Sequence, residues 1–295
     1  MHPRSSQLAI HAVLIFLAAL TFVPFLFVVN SSFRSNEEMY DSFFGVPEAF
    51  KAIITGRQTE ILAKTGEPPV KTLTKGYKLG WEVLRRYTLN SIIVSVASAF
   101  FVVIVGSATA YALARYRFCG SKVIFAIILS TMMVPGVLTL VPSYLLVRTL
   151  GLLDTRWVLI LPYVAGGQVF GIFVFRSFFA ALPEELFESA RIDGAGHLSL
   201  YFHIVLPLSM PVLSVVAVMN ILATWNNFLW PFITISKDEL HVVSSGLYVM
   251  ASSQVAGNMS TMNAAYVVAS IPLLVLFVYA TRPFIRGLTS GALKA

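Results

Sequence analysis

The chain carries little charge and almost no cysteine. Only 12% of its 295 residues are Asp, Glu, Lys or Arg, about half the roughly 25% typical of globular chains. With 57% hydrophobic residues and a mean hydropathy of +0.79, this excludes a soluble domain of this length. The single cysteine, Cys119, excludes an internal disulfide. No His or Cys spacing suggests a metal site, and His197 and His203 read as interfacial or packing side chains. No GxxxxGK(S/T) stretch occurs, so the usual phosphate cradle is missing. No apolar segment has an acidic residue near its centre, whereas proton- or sodium-coupled carriers commonly depend on one. No nucleophile stands with a base and an orienting partner, so no catalytic residue is assigned. Energy for uphill transport therefore has to enter through another subunit.

What is present is apolar sequence in blocks of spanning length. About 20 residues cross a bilayer as a helix, and six such blocks occur: Leu8–Val29, Thr88–Ala114, Val123–Val147, Trp157–Ala181, Val205–Ile235 and Ala264–Phe284. None alternates as a barrel strand does, so the expected fold is an all-α integral membrane protein with six transmembrane helices. The first block follows a basic head as a signal peptide would, but its length and the absence of a small-residue cleavage site favour an uncleaved helix. Arg4, Arg115, Arg117, Lys122, Arg176, Arg191, Arg282, Arg286 and Lys294 fall on one side of this topology. The short loops opposite hold Arg148, Arg156 and Lys237. The positive-inside rule then makes both termini cytoplasmic and assigns the net charge of +7 to membrane loops rather than nucleic-acid binding. Three regions are expected: a first helix over 1–30, an extracytoplasmic insert over 31–87, and a core over 88–295. The insert's middle, GRQTEILAKTGEPPVKTLTKGYKLGWEVLRR, reads as polar and partly helical, either a solvated surface loop or a contact for a partner or ligand. Its basic stretch from Lys64 to Arg86 leaves open an acidic saccharide.

One cytoplasmic segment stands out, LPEELFESARIDGAGHLSLYFHIVLP. Pro183 suits the first turn of a helix, and Glu184 and Glu185 favour the positive end of its dipole. Leu186, Phe187, Ala190 and Ile192 give an apolar side. Gly194 and Gly196 mark a break, after which a second short amphipathic piece returns to the membrane. On chemistry alone the segment is either a docking element or a loop tying spans four and five together.

Glu188-Ser189-Ala190, Gly194 and Ile204-Val205-Leu206-Pro207 resemble, in order and spacing, the EAA signature of permease subunits of binding-protein-dependent ABC importers. Ser189 replaces the usual alanine, a small-for-small change. YTLNS at 87–91, VPGVLTLVPSYLLV at 134–147, GLLDTRWVLILPY at 151–163, WNNFLWP at 225–231 and the closing FIRGLTSGALKA resemble the carbohydrate branch, typified by the smaller permease of the maltose transporter. The resemblance is weakest over 45–80, where the insert is longer than usual. It implies that 183–207 holds a coupling helix that docks on a cytoplasmic ATPase. Glu188, Ser189, Ala190 and Gly194 would supply the docking surface and bend, and Arg191 and Asp193 would orient it. It also implies the partners: a second homologous permease, two ATPase copies and an extracytoplasmic solute-binding protein, in a bacterial inner membrane. This chain would bind no cofactor, ATP and Mg belonging to the ATPase subunits.

Asn220, Thr224, Trp225, Asn226 and Asn227 cluster within eight residues of span five. Amides and flat aromatic faces suit a sugar, so these residues, with Tyr144 and Gln168, are candidates for a substrate pathway. Asn and Thr also serve as hydrogen-bond glue between helices. The expected function is the permease subunit of a sugar importer, with an oligosaccharide as substrate. The rival is a stand-alone carrier or channel without ATPase coupling.

Overall fold

The computed structural model describes residues 3–253 and 258–292, apart from the side chains of 3–6, 8, 9 and 281–292. Lys294 lies outside the described residues, as do the side chains of Arg4, Arg282 and Arg286. Among the described residues there is no strand. Backbone in hydrocarbon must satisfy its own N–H and C=O groups, and a helix does so within one segment. Five helices are long and apolar enough to cross a membrane: Ile10–Ser31, Pro69–Arg115, Trp157–Ala180, His197–Asn226 and Met259–Ala280. A sixth crossing is a pair, Ser121–Met133 and Gly136–Thr149, bent by 101°.

That bend divides the block expected as one span over 123–147 at Pro135, a proline that interrupts it in the sequence. Val134 is extended (φ −80°, ψ 116°), and so is Pro135 (φ −60°, ψ 128°). A proline pushes the residue before it out of the α region, and two successive extended residues turn the chain. The fifth span also ends earlier than expected, at Asn226 rather than Ile235. Asn227 leaves the helix (φ −73°, ψ 113°), and its Oδ1 accepts from the backbone N–H of Trp230 at 3.2 Å. A short polar side chain that bonds nearby backbone in this way competes with helix continuation.

In chain order the α-helices are α1 (Pro3–Ser31), α2 (Asn36–Asp41), α3 (Glu48–Thr55), α4 (Gln58–Thr65), α5 (Pro69–Arg115), α6 (Ser121–Ser130), α7 (Gly136–Thr149) and α8 (Trp157–Ala180). There follow α9 (Glu185–Ile192), α10 (His197–Leu200), α11 (Leu206–Leu208), α12 (Met210–Asn226), α13 (Leu229–Thr234), α14 (Val243–Ser252) and α15 (Met259–Ala292). They form two compact units, one from the chain up to Arg85 with Gly246–Ile271, the other from Arg86–Ser245 and the chain from Pro272.

In the first unit α5 packs on α15 through glycines four residues apart. A Cβ on Gly76 would come within 3.3 Å of the Ser260 backbone, and one on Gly80 within 3.4 Å of the Ala265 nitrogen. Small residues at this spacing let two membrane helices approach closely. Ser32 joins the contact, bonding the Tyr77 hydroxyl at 2.6 Å and accepting at its carbonyl from Ser260 Oγ at 2.8 Å.

In the second unit one core gathers Val102, Phe175, Phe179, Phe187, Val205 and Val216, and another Val94, Val158, Leu159, Trp230 and Ile235. The YTLNS stretch ties α5 to the chain between α13 and α14. Tyr87 donates to Asp238 Oδ1 at 2.5 Å, and Ser91 Oγ accepts from the Val243 N–H at 2.8 Å. Buried Asn90 donates to the carbonyls of Glu239 and His241 at 2.8 and 3.0 Å and accepts from Arg156 Nη2 at 3.1 Å. Beside this cluster Asp154 accepts the N–H groups of Ser236 and Lys237 at 2.5 and 3.1 Å. These backbone donors, Ser236 first, hold its carboxyl below the ordinary range. Burial pushes the His241 imidazole down as well, against the opposing pull of Asp238 and Asp154. Replacing Asn90 with Leu leaves an arginine head and two carbonyls unpaired. The expected cost is about 1–3 kcal/mol, read as a lower midpoint of thermal unfolding in detergent. An unchanged midpoint would show that the cluster carries no stability.

Candidate functional site

The segment after α8 folds as two short helices joined by a glycine turn. α9 ends in a Schellman closure: the Gly194 N–H bonds the Arg191 carbonyl at 3.0 Å, and the Ala195 N–H bonds the Ala190 carbonyl at 2.9 Å. The geometry puts Gly194 at φ +84°, where glycine alone carries no Cβ penalty. A Cβ there would meet nothing within 4 Å. The requirement for glycine at this position is thus one of backbone conformation. Further on, Tyr201–Val205 widens into a π-turn, with the Leu206 N–H bonding the Tyr201 carbonyl. The cause follows in sequence, since Pro207 has no N–H to give and its ring would press on the carbonyl four residues back.

Arg115, the last residue of α5, fastens this segment from behind. Its side chain is 9% exposed. Nη1 pairs with Glu184 Oε2 at 2.7 Å and Nη2 donates to the Leu182 carbonyl at 2.7 Å. The guanidinium carbon lies 4.0 Å from the centroid of the fully buried Phe187 ring, within range of a cation–π attraction. Arg191 Nη1 reaches the other Glu184 oxygen at 3.2 Å. Glu184 is therefore held by two arginines. Ala190 packs half-buried beside Phe187 against the core, whereas Glu188, Ser189, Arg191, Asp193 and Gly194 are exposed. Ile192, 85% exposed, and Leu198, 74% exposed, are apolar side chains left uncovered on the same segment. His197 is bonded to the Tyr116 hydroxyl at 2.7 Å, and His203 to the Ser199 carbonyl at 3.0 Å.

The candidate pathway residues divide. Asn220, Thr224 and Asn227 line one cavity of about 390 Å³ between α8 and α12, together with Tyr163 and Gly167. Asn220 Oδ1 and the Tyr163 hydroxyl are both buried without a hydrogen-bond partner among the described residues. Both residues belong to the cavity's lining, and an unmatched buried acceptor and hydroxyl each carry a desolvation cost that a rotation toward a polar ligand would relieve. Thr224 spends its hydroxyl on Ser95 Oγ at 2.9 Å and on the Asn220 carbonyl, so it also bridges helices. Trp225 is buried and outside this cavity's lining. Asn226 is exposed and bonds back to the Leu222 carbonyl at 2.8 Å. Gln168 donates to the Phe101 carbonyl at 3.2 Å while its Oε1 is buried and unmatched. Tyr144 packs half-buried on the core around Val158.

Two functional side chains were not singled out from sequence. Arg115 entered only as one of the basic residues that orient the topology. Tyr163 sits in the recognised GLLDTRWVLILPY stretch, one residue after a mid-span proline, and that adjacency was the available signal.

Residues 102–290 match the family of binding-protein-dependent transport system inner membrane components. The chain belongs to this family. The permease is 32% identical over 287 residues to the diacetylchitobiose uptake system permease protein of Streptomyces coelicolor, covering 96% of this chain and 88% of that one. It is 31% identical over 215 residues to the arabinooligosaccharides transport system permease protein of Bacillus subtilis, covering 73% and 75%. Its fold matches a chain of a bacterial ABC transporter that imports the acidic polysaccharide alginate, with a TM-score of 0.73 at 21% identity, covering 96% and 98%.

The permease's cavity depends on Gly167. A Cβ there would meet Asn220 Nδ2 at 2.5 Å and Val102 Cγ2 at 2.7 Å, whereas one on Gly166 would meet nothing within 4 Å. Gly167→Ala is expected to lose about 1–3 kcal/mol through overpacking and to displace the Asn220 amide, lowering uptake. Gly166→Ala, whose methyl has open room on the same cavity wall, is expected to keep stability and leave the Asn220 amide in place. Thermal unfolding and uptake by the two variants check this, and equal behaviour would contradict it.

Proposed function

We propose that this permease passes a sugar, expected to be an oligosaccharide, across the bacterial inner membrane, and that ATP hydrolysis by partner subunits drives the passage. A solute-binding protein delivers the sugar from outside, and a second, homologous permease completes the pathway. Two cytoplasmic ATPase copies bind ATP and Mg, and this chain itself catalyses nothing. Both termini and the 183–207 segment are cytoplasmic. The substrate class rests on the oligosaccharide names of the relatives and on the Asn220, Tyr163 and Asn227 lining of the cavity.

The observation that carries the coupling role is the division of α9 into two faces. Phe187 and Ala190 are committed to the core and Arg115, while Glu188, Ser189 and Ile192 remain uncovered. A segment pinned on one side and open on the other can take up a push from a docked subunit and pass it to α5. Such a push moves the equilibrium only if the ATPase binds the inward- and outward-facing states with different affinity.

Gly194 gives the test. Asn and Asp both tolerate the left-handed conformation, so Gly194→Asn and Gly194→Asp share one backbone and differ in charge. Gly194→Asp is expected to insert normally yet lose substrate-stimulated ATPase activity about tenfold, equivalent to about 1.4 kcal/mol of docking energy. Gly194→Asn should retain most of it. Full stimulation in Gly194→Asp would count against docking at this segment.

A further inference from the structure

The segment directly after the first span differs in character from the polar middle of the insert. Tyr40, Phe43, Phe44 and Phe50 are 76%, 65%, 70% and 50% exposed, which would be a costly set of side chains to leave in water. Their position is fixed by polar bonds on the other side of the turn. Arg34, 1% exposed, donates from Nη1 to the Phe43 carbonyl at 2.9 Å and from Nη2 to the carbonyls of Glu38 and Ser42. Asn30 Nδ2 donates to the Gly45 carbonyl at 2.9 Å. The turn is thus bolted to the end of α1 by its backbone, and its two phenylalanine rings are turned back along the span. The Phe43 ring stacks on Phe27 at 4.5 Å between centroids, and the Phe44 ring meets Phe27 edge-on at 5.6 Å.

Phe27 belongs to the span itself and lies four residues before its end at Ser31. At 1.5 Å per residue its ring sits about 6 Å inside that end. Phe43 and Phe44 therefore share its depth, at the boundary between headgroups and acyl chains where interfacial segments bury their apolar side by about 5–10 Å. Next to them an apolar groove of about 600 Å³ runs between span residues Leu26 and Val29 and insert residues Val46, Pro47 and Phe50. It continues the uncovered apolar surface of the span, where Phe25 and Leu26 are 64% and 63% exposed.

We propose that residues 40–50 are a membrane-interface anchor, seated in the outer leaflet with Phe43 and Phe44 among the lipid chains and an acyl chain in the groove beside Phe50. The occupant is bilayer lipid, because the groove and both rings extend the apolar surface of a helix long enough to cross the membrane and with none of its most apolar stretch buried within the chain. The anchor fixes the depth of the first span and the place where the rest of the insert enters the aqueous phase.

The experiment uses the assembled complex in phospholipid vesicles, with Cys119→Ser and single cysteines introduced by Phe43→Cys, Phe44→Cys or Phe50→Cys, each carrying a nitroxide. Phe25→Cys gives the lipid reference and Gln58→Cys the aqueous one. Collisions with oxygen, which concentrates in lipid, and with a water-soluble nickel chelate are measured for each label. The anchor predicts oxygen-dominated collisions at 43, 44 and 50, as at 25. Nickel-dominated collisions, as at 58, would overturn it in favour of a solvated loop. Protection from both reagents would overturn it in favour of a protein partner covering the patch.

Discussion

The arrangement of the segment that follows α8 rests on one cation, the guanidinium of Arg115. It closes the last turn of α5, where a positive charge suits the helix dipole. It also reaches a carbonyl, a carboxylate and an aromatic ring of the segment that follows α8. At 9% exposure its two Nη groups are paired with the Glu184 carboxylate and the Leu182 carbonyl while the Phe187 ring covers its face, and these contacts fix Leu182, Glu184 and Phe187 together. Once Phe187 is held, the faces of α9 are decided, and so are the side chains left for a partner. Asn90 lies 25 residues earlier on α5, about 38 Å along the helix. There the same helix is tied by hydrogen bonds to the chain between α13 and α14 and to Arg156. One helix is therefore anchored at the α9 segment at one end and at the chain between α13 and α14 at the other.

The cavity follows from a second constraint, the close approach of α8 and α12. Gly167 lets the Asn220 amide and Val102 come up against α8, and Gly166 and Pro162 lie on the open part of the wall. The cavity is lined by groups whose hydrogen-bonding capacity is unspent. Buried polar groups without partners cost free energy, which is the basis for proposing this cavity as part of the substrate pathway. Thr224 shows the complementary case, since its hydroxyl is fully engaged with Ser95 and the helix backbone and serves to hold α12 against α5.

Much of this was legible in the sequence. Apolar block lengths gave the membrane class, and the spacing from Glu188 to Pro207 gave the family by resemblance. Pro183, Gly194 and the apolar side of α9 gave the helix-turn-helix shape of the segment. The bend at Val134 was not legible as a 101° turn, because a proline inside an apolar run is equally compatible with a mild kink. The end of α12 was missed because Asn226 and Asn227 are polar at a spacing that a continuous helix also permits. The backbone capture by Asn227 appears only in three dimensions. Arg115 was legible as a basic loop residue and nothing more, since its partners lie 67 to 72 positions away. The roles of Phe43 and Phe44 depend on Phe27, which sequence distance does not connect to them. A polar average over the insert concealed a short aromatic turn.

The central claim is that the uncovered face of α9 meets an ATPase subunit. The most direct measurement places a benzophenone probe on Ile192→Cys in a Cys119→Ser chain. The assembled transporter is then irradiated in membranes with and without ATP, and the adducts are identified by mass spectrometry. A cross-link to the ATPase whose yield changes with ATP is the predicted result. A probe that captures no ATPase in either state, with the unlabelled Ile192→Cys thiol open to a water-soluble maleimide in both, would contradict it.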